Sequence, residues 1–221
     1  MQVGLISDIH GNLPALESVL EDMPSLDTIV CAGDVIGYNP WPAACVEKIR
    51  EVADITVMGN HDRMVRTPHE YGSNHMAEAG LEFANEQLSN RQLKWLDDRP
   101  RKATFVDDQF LLVHDHPTTV DEYVYPVEFD KLRCYLDNYR GLVLGHTHMP
   151  HEETVDDRII TNPGSVGQPR DKDPRAAYAI LDTDSGDVEL KRTNYDIDRV
   201  ISRIEKVGLP AKIGSRLLEG S

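Results

Sequence analysis

The sequence predicts an α/β protein in which two packed sheets share one core and carry helices on their outer faces. Three observations lead there. Apolar runs alternate with helical patterns through the first third of the chain. Pairs of apolar runs flank short polar turns through the second half. No repeat, low-complexity stretch or linker divides the 221 residues, so a single domain over 1–221 is expected.

Gln2 to Ser7 reads as the first strand, followed by Leu13, Leu16, Val19 and Leu20 at helical spacing with Pro14 in the first turn. Thr28 to Ala32 is a second strand. Pro42 opens a helix that turns Val46 and Ile49 inward, and Ile55 to Met58 is a third strand. Strands separated by helices imply right-handed crossovers and parallel pairing in this part. From His75 to Asp98 the pattern is helical, with Leu81, Phe83, Leu88, Leu93, Trp95 and Leu96 as its apolar face and Pro100 as its close. Three hairpins follow, turning at Asp107-Asp108, at Asp156-Asp157 and at Asp184-Ser185-Gly186-Asp187. A helix near Phe129 to Tyr139, a strand at Leu142 to Leu144 and a last helix from Asp198 to Val207 complete the expectation.

Composition narrows the functional classes. No apolar run approaches the roughly 20 residues of a bilayer span, and the N-terminus reads as a strand rather than a leader, so a cytoplasmic protein is expected. Cys31, Cys45 and Cys134 are widely spaced and lack a CxxC pair, which points to reduced structural thiols. The net charge of -15, from 38 acidic against 23 basic residues, argues against binding polymeric nucleic acid. Diffuse acidity with more Arg than Lys fits either an ordinary acidic cytosolic protein or one tuned to a salt-rich cytosol. Homo-oligomer formation is left open.

The chemistry lies where apolar runs end. Leu5-Ile6-Ser7 leads to Asp8-Ile9-His10, and Val30 to Gly33 leads to Asp34. Thr56 to Gly59 leads to Asn60-His61-Asp62, Leu111 to Val113 leads to His114, and Leu142 to Gly145 leads to His146-Thr147-His148. In open α/β sheets the carboxyl ends of strands line the ligand crevice. Side chains two apart on an extended segment point the same way, which would join Asp8 to His10 and His146 to His148. Gly11, Gly33, Gly59 and Gly145 are expected to let the backbone turn sharply beside a crowded centre. Oxygen and nitrogen ligands without thiolates suit manganese, iron, nickel or zinc, and seven such groups exceed what one ion accepts, so a carboxylate-bridged pair is expected.

In these motifs the chain resembles the calcineurin-like metallophosphoesterase superfamily. The matching stretches are Asp8-Ile9-His10, Gly33-Asp34, Gly59-Asn60-His61-Asp62, His114 and Gly145-His146-Thr147-His148, in the family's order. Gly37-Tyr38 and Asn162 to Asp171 are similar to its stand-alone prokaryotic, YfcE-like branch of phosphodiesterases and phosphatases. The resemblance implies a four-layer α/β/β/α sandwich of two mixed sheets. It also implies hydrolysis of a small-molecule phosphoester, nucleotide-type or other, through a hydroxide activated by two divalent transition-metal ions, manganese first. By that likeness Asp8, His10 and His148 hold one ion, Asn60, His114 and His146 the other, and Asp34 bridges them. His61 stands outside the ligand set as the catalytic acid, and the resemblance assigns no substrate-binding residue. Gly33-Asp34-Val35-Ile36-Gly37 lacks the second Asp and the Arg of the family's protein phosphatases, which weakens that reading. The likeness also allows phosphomonoester hydrolysis, or a non-catalytic scaffold like the retromer subunit; the complete ligand set favours an enzyme.

Other residues carry plainer expectations. His69, His75 and His151 are expected on the surface, while His116 stands two beyond His114 with Pro117 breaking the alternation. Asp62 is expected to hydrogen-bond His61 in preference to capping a turn. The Asn162 to Arg170 loop is expected to be structural, with Arg170 as a candidate phosphate clamp. Tyr38, Tyr123 and Tyr125 are expected to pack in the core or rim.

Overall fold

The computed structural model describes residues 1–72 and 74–221. The first sheet contains β1 (Gln2–Ile6), β2 (Thr28–Cys31), β3 (Ile55–Thr56), β9 (Ala176–Asp182) and β10 (Val188–Thr193), in the order β10-β9-β1-β2-β3. Its β1, β2 and β3 run parallel, and β9 joins β1 antiparallel. The second sheet contains β4 (Lys102–Phe105), β5 (Phe110–Val113), β6 (Gly141–Val143), β7 (His151–Val155) and β8 (Arg158–Asn162), in the order β4-β5-β6-β8-β7. Here β5, β6 and β8 are parallel, with an antiparallel strand at each edge.

Alternation along the strands explains why two sheets stack. Val3, Leu5, Val30, Ala32, Ala179 and Leu181 of the first sheet meet Phe110, Leu112, Val143 and Ile159 of the second in one buried layer. The intervening residues, Ile6, Cys31, Tyr178 and Ile180, face the opposite way, under α1 (Leu13–Asp22), α2 (Pro42–Val52), α4 (His75–Gln87) and α5 (Asn90–Asp97). On the far side, Leu111, Val113, Leu142, Leu144 and Ile160 are covered by Phe129, Leu132 and Leu136. Strands buried on both faces read as continuous apolar runs for this reason.

Several expectations change. The third strand shrinks to Ile55–Thr56, because Met58 N–H bonds Pro100 O instead of the sheet. The helix expected near Phe129 to Tyr139 is a 3₁₀ segment, Pro126–Tyr135, so the fourth layer is thin. The single helical stretch to Asp98 breaks at Ser89, whose hydroxyl and the Gln92 side chain form a capping box. A short helix that the sequence reading lacked, α7 (Ala211–Glu219), packs against α6 (Ile197–Val207), and both cover Tyr38 and Ala77. Among the described residues no helix is long and apolar enough to cross a membrane.

Candidate metal centre

The carboxyl ends of β1, β2, β5 and β6 bring Asp8, His10, Asp34, His114, His146 and His148 together, all buried. They form groups suited to hold a metal ion: Asp8 with His10 and His148, and Asp34 with His114 and His146. A third group joins His10, Asp34 and His61.

Convergence has a different local cause from strand alternation. Asp8 (φ 53°) and His10 (φ 48°) are both left-handed, as are Asp34 (φ 53°), His146 (φ 69°) and His148 (φ 60°). The chain curls after each strand instead of continuing it, and hydrogen bonds from Asp8 N to Gly33 O and from His10 N to Asp34 O hold two of these curls together. Non-glycine residues adopt this conformation at a cost, which persists where the surroundings determine it. Of the glycines, Gly33 (φ 94°) does supply a turn. Gly59 does not: its φ is ordinary, and a Cβ there would lie 2.1 Å from Asp34 Oδ1, so it provides space.

Backbone carbonyls orient the imidazoles. His10 Nδ1 faces Ile36 O at 3.2 Å, His114 Nδ1 faces Ala32 O at 2.8 Å and His148 Nδ1 faces Gln168 O at 2.5 Å. A carbonyl only accepts, so each ring carries a proton on Nδ1 and turns Nε2 to the centre. His10 Nε2 and His148 Nε2 then face each other at 3.1 Å, and His114 Nε2 lies 3.2 Å from His146 Nδ1. Ring nitrogens facing one another in this way, with buried Asp8 Oδ1 and His146 Nε2 lacking any partner, fit a centre built for cations.

The carboxylates divide their oxygens. Asp8 Oδ2 accepts from Ser7 Oγ (2.7 Å) and His146 N (3.0 Å), leaving Oδ1 at 3.3 Å from His148 Nε2. Asp34 Oδ1 accepts from His61 N (2.8 Å), and Oδ2 lies 3.6 Å from His10 Nε2 and 3.4 Å from His114 Nε2. Burial opposes ionisation of Asp34, but His114 and His61 outweigh it and hold its carboxyl well below the usual range. Asp8 is pushed up to about 6 by burial. Burial and the charge on His114 push His146 down to about 3.

Asn60, His61 and Asp62 begin a short helix, α3 (Asn60–Met64). Asn60 Oδ1 lies 2.9 Å from His114 Nε2, and its amide donates to the Tyr71 hydroxyl. Asp62 does not engage His61. Its Oδ2 accepts from Gly59 N, and its Oδ1 from the N–H groups of Val35 and Ile36, so it caps the helix and ties it to the Asp34 loop. His61 Nδ1 is buried without a partner, and burial pushes the imidazole down to about 4 instead of leaving it near its ordinary value. His116 turns away: it accepts from the N–H groups of Thr118 and Thr119 and packs edge-on against Tyr135. His69 and His75 are exposed and His151 is half-exposed.

Supports that the sequence reading lacked are Tyr71, Ser7 and Gln168. Tyr71 and Gln168 act on Asn60 and His148 from 11 and 20 residues away, for which no local signal exists, whereas Ser7 adjoins Asp8 in sequence. The Asn162 loop is structural as expected: Ser165 Oγ donates to Asp8 O, and Asn162 Nδ2 to Gly145 O. Tyr38 is buried against His10 and His61, while Tyr123 and Tyr125 stand at the rim, with Tyr123 stacked on His146 at 3.9 Å.

Two mixed sheets with buried aspartates and histidines gathered at their strand ends define a metal-dependent hydrolase of the layered α/β type. The chain belongs to the calcineurin-like phosphoesterase superfamily, whose domain profile matches residues 1–186. It is 34% identical, with TM-score 0.87 over all of both chains, to a metallophosphoesterase from Sphaerobacter thermophilus. It is 34% identical over 242 residues to an uncharacterised protein of Methanocaldococcus jannaschii, covering 99% of this chain and 98% of that one. Phosphodiesterase YfcE of Escherichia coli is 29% identical over 200 residues, 83% of this chain and 89% of its own. The protein is thus a metallophosphoesterase, a hydrolase of a family that uses divalent metals.

Proposed function

We propose that this chain is a dinuclear phosphodiesterase acting on nucleotide-type or other small phosphoesters in the cytoplasm, as a single domain. Asp8, His10 and His148 would hold one ion, and Asn60, His114 and His146 the other. The observation that carries this is the position of Asp34 Oδ2, between His10 of the first set (3.6 Å) and His114 of the second (3.4 Å). One carboxylate between two ligand sets is what a metal pair requires, and manganese, iron, nickel or zinc suits the donors. Bound ions supply Lewis acidity to the phosphoryl group and the attacking water.

The chain's own residues supply orientation and a hydrogen-bond donor. The carbonyls of Ile36, Ala32 and Gln168 fix the three rings, and Ser7 and His146 N–H fix Asp8. His61, held apart from Asp62 and carrying an unpaired Nδ1, would be the donor to the departing oxygen. Burial pushes its imidazolium down to about 4, so near pH 7 the neutral ring would support that oxygen through an N–H hydrogen bond, with the proton itself completed from solvent. Elemental analysis of reconstituted protein tests the reading: two ions per chain are expected, and a reproducible one or none overturns the dinuclear centre.

A further inference from the structure

Arg170 occupies a position that the ligand set does not explain. Its backbone N–H reaches His148 O at 3.4 Å, so the chain passes beside the cluster. Its guanidinium donates to Gln168 Oε1 from Nε (3.2 Å) and Nη2 (2.8 Å), and Nη2 lies 3.4 Å from the Tyr38 hydroxyl. The Tyr123 hydroxyl lies near enough to feel the Arg170 charge. These three neighbours reach the centre from different sides. Gln168 O receives His148 Nδ1–H, the Tyr38 ring lies 4.9 Å from His10 and 4.8 Å from His61, and Tyr123 stacks on His146.

All of those partners are neutral. The two carboxylates nearest in sequence are engaged elsewhere, Asp171 with Arg192 and Asp173 with Arg175. Among the described residues no carboxylate pairs with Arg170, in a chain carrying a net charge of -15. A half-buried guanidinium held by neutral groups is poorly compensated, and its rigid fork matches a phosphate. An anion received between this side chain and the cluster would relieve the imbalance.

We propose that Arg170 is a substrate-binding residue whose guanidinium takes a non-bridging oxygen of the phosphoryl group. This rests on the phosphoesterase reading and specifies which residue recognises the phosphate. It also gives the C-terminal hairpin of α6 and α7, which lies beyond the matched family domain, a part in the site: it backs Tyr38, whose hydroxyl the Arg170 guanidinium approaches.

The test uses the full metal-loaded chain, titrated calorimetrically with inorganic phosphate and assayed on bis(p-nitrophenyl) phosphate, with metal content and melting measured in parallel. Arg170→Gln should weaken phosphate binding and lower kcat/KM by about 10- to 100-fold at unchanged metal content. Arg170→Lys should recover only part of this, since it restores charge without the fork. Wild type that binds phosphate but hydrolyses no phosphoester refutes the hydrolase reading and leaves the clamp standing. Wild type that binds no phosphate, or Arg170→Gln that binds it as tightly as wild type, overturns the clamp. Should the glutamine variant unfold or lose metal, the lysine variant decides: full metal content with unchanged phosphate affinity overturns the proposal.

Discussion

Two of the places where the backbone turns left-handed in this molecule could hardly differ more in what surrounds them. At the hairpin between β7 and β8, Val155 pairs with Arg158 and the loop is Asp156 (φ 49°) and Asp157 (φ 59°), both exposed. Asp tolerates this conformation and the twist of a two-residue turn demands it. At the metal centre, Asp8, His10, Asp34, His146 and His148 adopt the same φ range while buried against one another. In the first region the conformation satisfies local turn geometry. In the second, the local backbone preference is overridden by contacts with residues far along the chain, and it persists because it aims side chains at one point.

The largest effect should come from Asp34→Asn. Asn accepts the left-handed conformation as Asp does, so the fold should survive while the shared carboxylate is lost. Loss of kcat/KM on the order of 10³-fold is expected, and elemental analysis should show more metal lost than in His10→Ala. An Asn variant retaining metal as well as wild type would remove Asp34 from its bridging role.

His61→Ala should come next. Metal content should stay near wild type, and hydrolysis of an ester with an alkoxide leaving group should fall by about 10²-fold or more. Para-nitrophenolate leaves without protonation, so its esters should be affected far less. Equal slowing of both substrates, or loss of metal, would show that His61 is not the donor to the departing oxygen.

Gly59→Ala probes space instead of chemistry. Its Cβ would meet Asp34 Oδ1 at 2.1 Å, so either Asp34 or α3 must shift. A loss of about 1–3 kcal/mol in denaturant unfolding is expected, together with weaker metal retention. Unchanged stability and metal content would mean that this approach is looser than its geometry implies.

The hairpin should answer in the opposite direction and least. Asp157→Gly relieves a strained φ at an exposed turn, so a gain of about 0.5 kcal/mol and unchanged activity are expected. A destabilised Gly variant would show that the Asp157 side chain contributes more than its backbone costs, and would narrow the contrast between the two regions.

Much of this was legible before any coordinates. Pro14 and Pro42 lie at their helix starts, the Asp-Asp turns mark their hairpins, and the apolar runs give the central strands. Each is decided within a few residues. The 3₁₀ character of Pro126–Tyr135 was not legible, because its local period is weak, whereas the helix Ala211–Glu219 has an amphipathic face with Ile213 and Leu217 buried, a local signal that the sequence reading passed over. At the site, residue types at strand ends supplied the ligand candidates. The geometry that joins them came from elsewhere: His10 and His148 face each other across 138 residues of sequence, and Ser165 supports Asp8 across 157.

By itself, then, the sequence determined which chemical groups stand at the ends of which strands, since residue type and periodicity are properties of short contiguous windows. Only the tertiary structure decided that Asp8 and His10 converge through left-handed curls instead of strand alternation, and that Asp62 caps α3 and leaves His61 Nδ1 free. Only the tertiary structure also left Arg170 beside the centre without a carboxylate. Burial, carbonyl acceptors and the pairing of charges are made by segments that meet only when both sheets have stacked, and no local pattern carries that information.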